Sequence, residues 1–255
     1  MHLEPSWAVI VALPHEAKAL LSELQVQAQT TYHASKLYEG EYRKRPILLL
    51  QTGMGSGNAK RAVEFLLEHH SVRRCLITGY CGGLVPGLKT GHGVLASRLL
   101  SQADKKSVLQ VEFPQLESLR SGLKSQGLEV QEGPLVEVAR PVLELKDKQA
   151  LQRTSGAIAV DMESFSVLKA LKADEKIASL ILRFVVDPLE ENLADTEAFI
   201  DDQCGVRPWK LLQETFRNPK LLIDLPQLDR LARQARRQMK KALDYLLNLD
   251  PGDEA

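Results

Sequence analysis

No charge of one sign dominates this chain: lysine plus arginine, and aspartate plus glutamate, each number 33 among 255 residues. That balance excludes a protein built to coat nucleic acid, whose footprint is a strong basic excess. Cysteine is scarce and odd in number. Cys75, Cys81 and Cys204 lack the spacing of a metal site and the pairing of a disulfide framework. They read as buried or idle thiols in a reducing compartment. No apolar stretch approaches the ~20 residues that span a bilayer. Met1 to Trp7 hold Glu4 and Pro5 instead of the long apolar run of a signal peptide. Internal repeats, low-complexity tracts and dividing linkers are missing too. A chain of this length buries about three quarters of its unfolded surface. The expectation is a soluble cytoplasmic protein with one domain over residues 1–255, of which residues 203–255 form a C-terminal helical extension.

What is present is a rhythm of buried strands and glycine turns. Trp7 to Leu13 is an unbroken apolar run ended by Pro14, the pattern of a strand covered on both faces. Helical spacing follows over His15 to Leu24, with Leu20, Leu21 and Leu24 on one side. Glu16 lies in the turn between them. Ligands of open α/β sheets collect at the carboxyl ends of strands, so Glu16 is placed for chemistry; it is equally an ordinary first-turn acid. Leu37 to Tyr42 and Pro46 to Thr52 read as two further strands, joined by the charged turn Arg43-Lys44-Arg45. The second runs into Gly53-Met54-Gly55-Ser56-Gly57-Asn58 and a helix carrying Ala59, Ala62, Val63, Leu66 and Leu67. Glycines there let backbone N–H groups approach an anion or a sugar. The Gly-Lys-Ser/Thr ending of a P-loop is missing.

Arg74 to Thr78 repeats the pattern and ends in Gly79-Tyr80-Cys81-Gly82-Gly83-Leu84. Two such units imply parallel strands with crossover helices. His92 to Ala96 reads as the next strand. Residues 101–127 are the least regular part, with a helix near Gln115 to Ser125. Leu128 to Val138 reads as a half-exposed strand and Lys146 to Thr154 as a short helix.

The most informative stretch is Ile158 to Ser164, Ile-Ala-Val-Asp-Met-Glu-Ser. An apolar run carries the chain inward, then Asp161 and Glu163 flank Met162 as a helix with Phe165, Leu168 and Leu171 begins. A desolvated carboxylate must be paired or hydrogen-bonded. A sugar diol would supply those bonds, with Met162 packed on the sugar's apolar face. The alternative is that both acids cap the helix. Lys176 to Val186 is the last apolar strand. Arg183 interrupts it and needs a partner if buried, and Asp187-Pro188 ends it. Beyond an acidic loop from Glu190 to Asp202, Trp209 to Arg217 and Leu228 to Leu247 read as helices. The last has a leucine and alanine stripe, with Arg230, Arg233, Arg236, Arg237, Lys240 and Lys241 on its other faces. A docked helix with a solvated face explains that pattern; a membrane-surface helix is the second reading.

In order and spacing these pieces resemble the purine nucleoside phosphorylase and nucleosidase superfamily. The resemblance covers Val9 to Asp187 and rests on Pro14-His15-Glu16-Ala17, the Gly53–Asn58 turn, Thr78–Leu84, and Val160-Asp161-Met162-Glu163 with Arg183 and Asp187. The wording of Val160 to Ser164, the Asp187-Pro188 pair and the long basic tail look most like the hopanoid-associated phosphorylases. The resemblance implies a three-layer α/β/α sandwich around a mixed, partly barrel-like central sheet. It implies cleavage of the N-glycosidic bond of a purine ribosyl substrate, adenine first, with an adenosyl lipid such as adenosylhopane as a candidate. It implies Asp187 as the general acid at purine N7 and Glu16 as the group that positions or deprotonates water. Glu163 would hold the ribose hydroxyls and Met162 would pack on the sugar, with Gly55, Cys81, Gly82 and Arg183 around the substrate. No cofactor and no metal is implied, and a homodimer is.

The chain departs from the superfamily's phosphorolytic members. Where they keep arginines, in the first strand turn and before the second glycine turn, it has Glu16 and Ile77. Tyr80 replaces a serine that helps bind phosphate. A carboxylate in that place repels phosphate, so water is the expected nucleophile. Arg43, Arg45 or Lys18 rebuilding a phosphate site, and hence phosphorolysis, is the alternative; a non-catalytic nucleoside-binding protein is a second. Nucleosidases have Gly-Asp where this chain has Gly91-His92, and Val142 stands where an aromatic usually stacks on the base. With aromatics at 5% of the chain, that stacking comes from elsewhere or from a partner subunit.

Overall fold

The computed structural model describes residues 7–104, 106–174, 176–189 and 221–249, with side chains of the last helix described from residue 230. Strand β1 (Trp7–Val11) is buried along its whole length, as its unbroken apolar run requires. It lies parallel to β4 (Arg45–Gln51) on one side and β5 (Arg74–Gly83) on the other. Alternate side chains of β1 enter two separate cores. Ala8 and Ile10 meet α2 (Ser56–His69) and α5 (Ser164–Leu171) through Val63, Leu66, Phe165 and Leu168. Trp7, Val9 and Val11 meet α1 (Pro14–Leu21), α3 (Leu116–Ser125) and the last helix, α6 (Leu221–Leu246), through Leu20, Leu123, Met239 and Leu243. Burying one leucine is worth roughly 1.5–3 kcal/mol, and the alternation lets one strand anchor helices on both faces.

The strands form one mixed sheet. From β1 it runs outward through β4, β3 (Ser35–Tyr42) and β2 (Gln25–Tyr32), the outer two pairings antiparallel. On the other side β5 is shared by three neighbours. Its body pairs with β1 and with β10 (Ala178–Asp187), and its last residues, Gly82 and Gly83, pair with β9 (Ala159–Asp161). Strands β8 (Val130–Glu137) and β6 (Gly93–Ser101) complete the circuit back to β10. Five strands thus close into a ring, and β1 to β4 continue as an open sheet. The three-layer sandwich with a partly barrel-like sheet is as expected. The closure puts the ends of β5, β9 and β10 beside one another.

Three elements differ from expectation. Strand β2 was not foreseen, because its sequence, QVQAQTTY, has no apolar face; every residue of this edge strand is exposed. Strand β6 runs on to Ser101 and pairs with a short β7 (Val108–Gln110), so part of the stretch expected to be irregular belongs to the sheet. Strand β8 is half-exposed only in its first half; Leu135 to Glu137 are buried. The expected helix over Lys146 to Thr154 is α4 (Leu145–Ser155). The loop at Glu190 to Asp202, the helix at Trp209 to Arg217, and Cys204 fall outside the described residues.

Helix α6 docks. Leu231, Ala235, Met239, Ala242, Leu243 and Leu246 are buried in the sheet's second core. Lys240 pairs with Glu23, Asp244 accepts from the Tyr42 hydroxyl, and Arg45 Nη1 donates to Leu249 O at 2.7 Å. A membrane-surface helix inserts its apolar face, and among the described residues of α6, from Arg230 on, that face is already buried. No described helix is long and apolar enough to cross a membrane.

Candidate active site

Glu16 is the third residue of α1, whose first turn follows directly from β1. Its carboxylate folds back on the strand end. Oε2 accepts from Ala12 N–H at 2.9 Å and Leu13 N–H at 2.8 Å, and Oε1 accepts from Tyr80 N–H at 2.7 Å. The first-turn reading is therefore right as far as it goes: Glu16 reaches back over its own helix start. It is also 2% exposed and ties β1 to the glycine turn of β5. Burial raises its pKa, opposed by Arg183 and then by the three N–H donors.

Arg183 sits in the middle of β10 and is 2% exposed. Its partners are the ones its burial demands. Nη2 meets Asp161 Oδ2 at 2.8 Å, Nε donates to Ser164 Oγ at 2.9 Å, and Nη1 donates to Thr78 O at 3.2 Å. Burial works against its charge, but Asp161, Glu163 and Glu16 together hold it cationic. Gly79 makes this approach possible. A Cβ there would stand 2.5 Å from Glu16 Oε1 and 2.6 Å from Arg183 Nη1, and its φ of +136° is one that L side chains rarely adopt. Gly79→Ala is therefore expected to destabilise the fold by about 1–3 kcal/mol, read as a fall in Tm.

The two acids beside Met162 go different ways. Asp161 turns into the protein, where it binds Arg183 and accepts from Ser164 N–H and its hydroxyl. It caps α5, as the plainer reading held. Glu163 crosses to the other glycine turn, and its Oε1 accepts from Gly55 N–H at 2.9 Å. Its pKa is raised to about 8, mainly by burial and further by Asp161 and Glu16, against Arg183 and the Gly55 N–H. Gly55 carries φ +90°, and a Cβ there would meet nothing within 4 Å. The glycine is needed for its conformation and for a bare N–H aimed at Glu163. Met162 is partly buried against the cluster of Leu84, Val136, Val138 and Val160, with Val142 beside the same cluster.

Asp187 ends β10 beside Gly82: a Cβ on Gly82 would lie 3.7 Å from Asp187 Oδ2 and 3.1 Å from Val160 Cγ1. Cys81 of β5 is buried in the core that α2 and α5 cover. Burial pushes its thiol up, Arg183 opposes this, and Asp161, Asp187 and Glu16 all act on it. The structure thus gathers Glu16, Cys81, Glu163 and Arg183 round Gly79 and Gly55, with Asp187 next to Gly82. The basic residues considered for a phosphate site are not part of the group. Arg45 holds the end of α6 and Lys18 is exposed on α1. Arg43 lines a surface hollow with Lys241, Asp244 and Tyr245 that contains none of Glu16, Asp161, Glu163 and Asp187.

Two buried charges were missed. Lys148 of α4 is fully buried and donates from Nζ to Asp187 Oδ1 at 2.6 Å. The available signal was a lysine three residues before Leu151, on that helix's buried side. Glu137, at the end of β8, accepts from Ser166 N–H at 2.8 Å and Ser166 Oγ at 2.7 Å, so it caps α5 from another strand. Burial raises its pKa to about 7. A carboxyl raised in the folded state gives stability that is present below its unfolded pKa of 4.5 and lost as pH rises through 7. Urea unfolding at pH 5 and pH 7.5 should show that loss, with Glu137→Gln removing about 2 kcal/mol of it; an unchanged pH slope in the variant would count against this assignment.

A sheet closed at β5 and β10, with buried carboxylates gathered on two glycine turns, is the architecture of nucleoside-phosphorylase-like proteins. The family model of the Phosphorylase superfamily matches residues 6–208, and the chain belongs to that family. Over 118 residues it is 25% identical to the 5′-methylthioadenosine/S-adenosylhomocysteine nucleosidase of Bacillus cereus, covering 46% of this chain and 51% of that one. The chain thus spans about half the length of the curated relatives it matches. In fold it is similar to the nucleosidase of the same description from Neisseria meningitidis bound to methylthio-immucillin-A (TM-score 0.68, 19% identity, 94% of this chain and 97% of that one). It is equally similar to the futalosine hydrolase of Helicobacter pylori (TM-score 0.69, 18% identity, 96% of this chain and 100% of that one).

Proposed function

We propose that this protein is an enzyme that hydrolyses the N-glycosidic bond of a purine ribosyl substrate, with adenine as the base. The observation that carries the reading is the tether between Glu163 and Gly55, 108 positions apart in sequence. It holds a buried carboxyl by one oxygen, and among the described residues no donor reaches the other oxygen. Burial raises its pKa, so this carboxyl takes up a proton more readily than an exposed one, and in that form it both donates to and accepts from a ribose diol.

In this reading the substrate lies between the Gly55 and Gly82 turns. Met162 covers the apolar face of the sugar. As the C1′–N9 bond breaks, Asp187 gives its proton to N7 and the base leaves neutral. Water attacks C1′ and yields a proton to Glu16. This is the two-carboxylate logic of glycoside hydrolysis applied to a nitrogen leaving group. The relatives' substrates support adenine, and the resemblance of residues 160–164 and 187–188 to the hopanoid-associated branch favours an adenosyl lipid as the natural substrate. Water over phosphate is favoured by Glu16, whose carboxylate already takes the Ala12, Leu13 and Tyr80 N–H groups at the first strand end. Adenine release from adenosine, 5′-methylthioadenosine and an adenosyl lipid, in phosphate-free buffer and with added phosphate, tests the reading. Release that does not depend on phosphate is expected; release only with phosphate would make the enzyme a phosphorylase.

A further inference from the structure

Lys148 has no part in the mechanism as stated, yet its placement is unusual. Its side chain is 0% exposed, against 10% for its partner Asp187. A buried ammonium is costly unless every proton is matched. Here all three are: Nζ donates to Asp187 Oδ1 at 2.6 Å, to Pro188 O at 2.9 Å and to Asp187 O at 3.4 Å. Every acceptor belongs to the end of β10, and none to α4 itself. Replacing a buried ion pair with apolar groups is often neutral or stabilising, so stability alone is a weak reason for a lysine here. What the contacts do is fix one carboxyl group. Oδ1 is taken by Lys148, and Oδ2 is the oxygen near Gly82.

We propose that Lys148 is the positioning residue of the base-protonating acid: it holds Asp187 by Oδ1 and the two carbonyls, presents Oδ2 to the nucleobase, and stabilises the carboxylate that forms as the proton leaves. The inference rests on the reading of the site as a purine nucleosidase. The step balances within the pair. In the enzyme form that carries a proton on Asp187, the Oδ2–H bond breaks as the N7–H bond forms and the C1′–N9 bond opens, and Lys148 keeps its three protons. The negative charge that appears on Asp187 appears beside a fixed ammonium, so the interaction is stronger in the transition state than before it. The same charge makes Asp187 a stronger acid that loses its proton at lower pH. The Cys81 thiol of β5, which burial keeps neutral, also faces Asp187. Arg183, four residues back on β10, is engaged by Asp161, Ser164 and Thr78 O.

The test is kcat/KM against pH for adenosine cleavage by wild type, Lys148→Met and Lys148→Arg. In Lys148→Met the alkaline limb should move up by about one to three pH units, with kcat lowered and KM little changed. In Lys148→Arg the limb should stay while kcat falls. A limb that does not move in Lys148→Met, with activity lower by one factor at every pH, reduces Lys148 to a structural residue and overturns the proposal. If Lys148→Met does not fold, Lys148→Gln carries the same comparison. Carboxyl ¹³C NMR, with Asp187 assigned by its loss in Asp187→Asn, reads the pair without activity: Asp187 should titrate at higher pH in the Met or Gln variant than in wild type, and equal titration overturns the proposal. A wild type that cleaves no adenosyl substrate defeats the functional reading alone, and the NMR titration then decides the pair.

Discussion

Asp187→Asn is expected to lower kcat for adenine release by roughly 10²–10⁴-fold, the usual worth of a positioned general acid, while leaving substrate affinity close to wild type. The change is nearly isosteric. Asparagine keeps an oxygen for Lys148 Nζ, which now lies 2.6 Å from Oδ1, and the two backbone carbonyls that Lys148 also holds are untouched. What the proposed mechanism loses is the proton that Oδ2, near Gly82, would transfer. An amide N–H can hydrogen-bond to N7, so the ground state keeps its contact, but it cannot neutralise a leaving purine anion. The loss should therefore fall on kcat, the signature of an interaction made in the transition state. Single-turnover adenine release, with calorimetric binding of a non-cleavable nucleoside analogue, separates the two. Near-normal turnover would remove Asp187 from the mechanism. Equal losses in affinity and turnover would make it a binding residue instead.

The sequence carried the site's outline because its parts lie at strand ends, and buried parallel strands are easy to see. Trp7 to Leu13 is apolar throughout, and Arg74 to Thr78 and Lys176 to Val186 are mostly so, with Arg183 as an interruption; the turns that follow are marked by contrast. Glu16, the Gly79–Gly83 run and Asp187 were found in this way. Pairings across the chain were not visible. That Asp161 rather than Glu163 would take Arg183, and that Glu163 would take the Gly55 N–H, depends on how the ring of β5, β9 and β10 closes. No local period encodes that closure. Lys148 was lost for a related reason. In a short polar helix a lysine reads as solvated surface, and only the fold reveals that α4 turns position 148 onto the end of β10. Strand β2 was lost because an exposed polar edge strand has no apolar alternation to detect. At Asp161 and Glu163 the sequence left capping and ligand binding open; in the structure the two side chains part, Asp161 to Arg183 and Ser164, Glu163 to the Gly55 N–H.

Arg183→Met is expected to be the most destabilising single change in the group, at about 3–5 kcal/mol. Methionine fills much of the same volume, so packing is a small part of the loss. The larger part is what the substitution leaves behind. Asp161, 1% exposed in its side chain, loses the guanidinium at 2.8 Å. Glu16 and Glu163, whose pKa values Arg183 now holds down against burial, lose their main opposing charge. All three then face one another as acids in a region that water barely reaches. The penalty has a sign in pH. Glu16 and Glu163 already have raised pKa values in the folded state, and removing Arg183 raises them further. Their contribution is fully present below pH 4.5 and is lost as pH rises through the folded values, the one for Glu163 being about 8 in the wild type. The stability gap between variant and wild type should therefore be wide at pH 8.5 and narrow towards pH 5, where the carboxyls take up protons and need no counter-charge. Chemical denaturation across that range measures it directly. A gap independent of pH would mean that Arg183 acts through packing and its hydrogen bond to Thr78, and that the acids around it are not electrostatically one group.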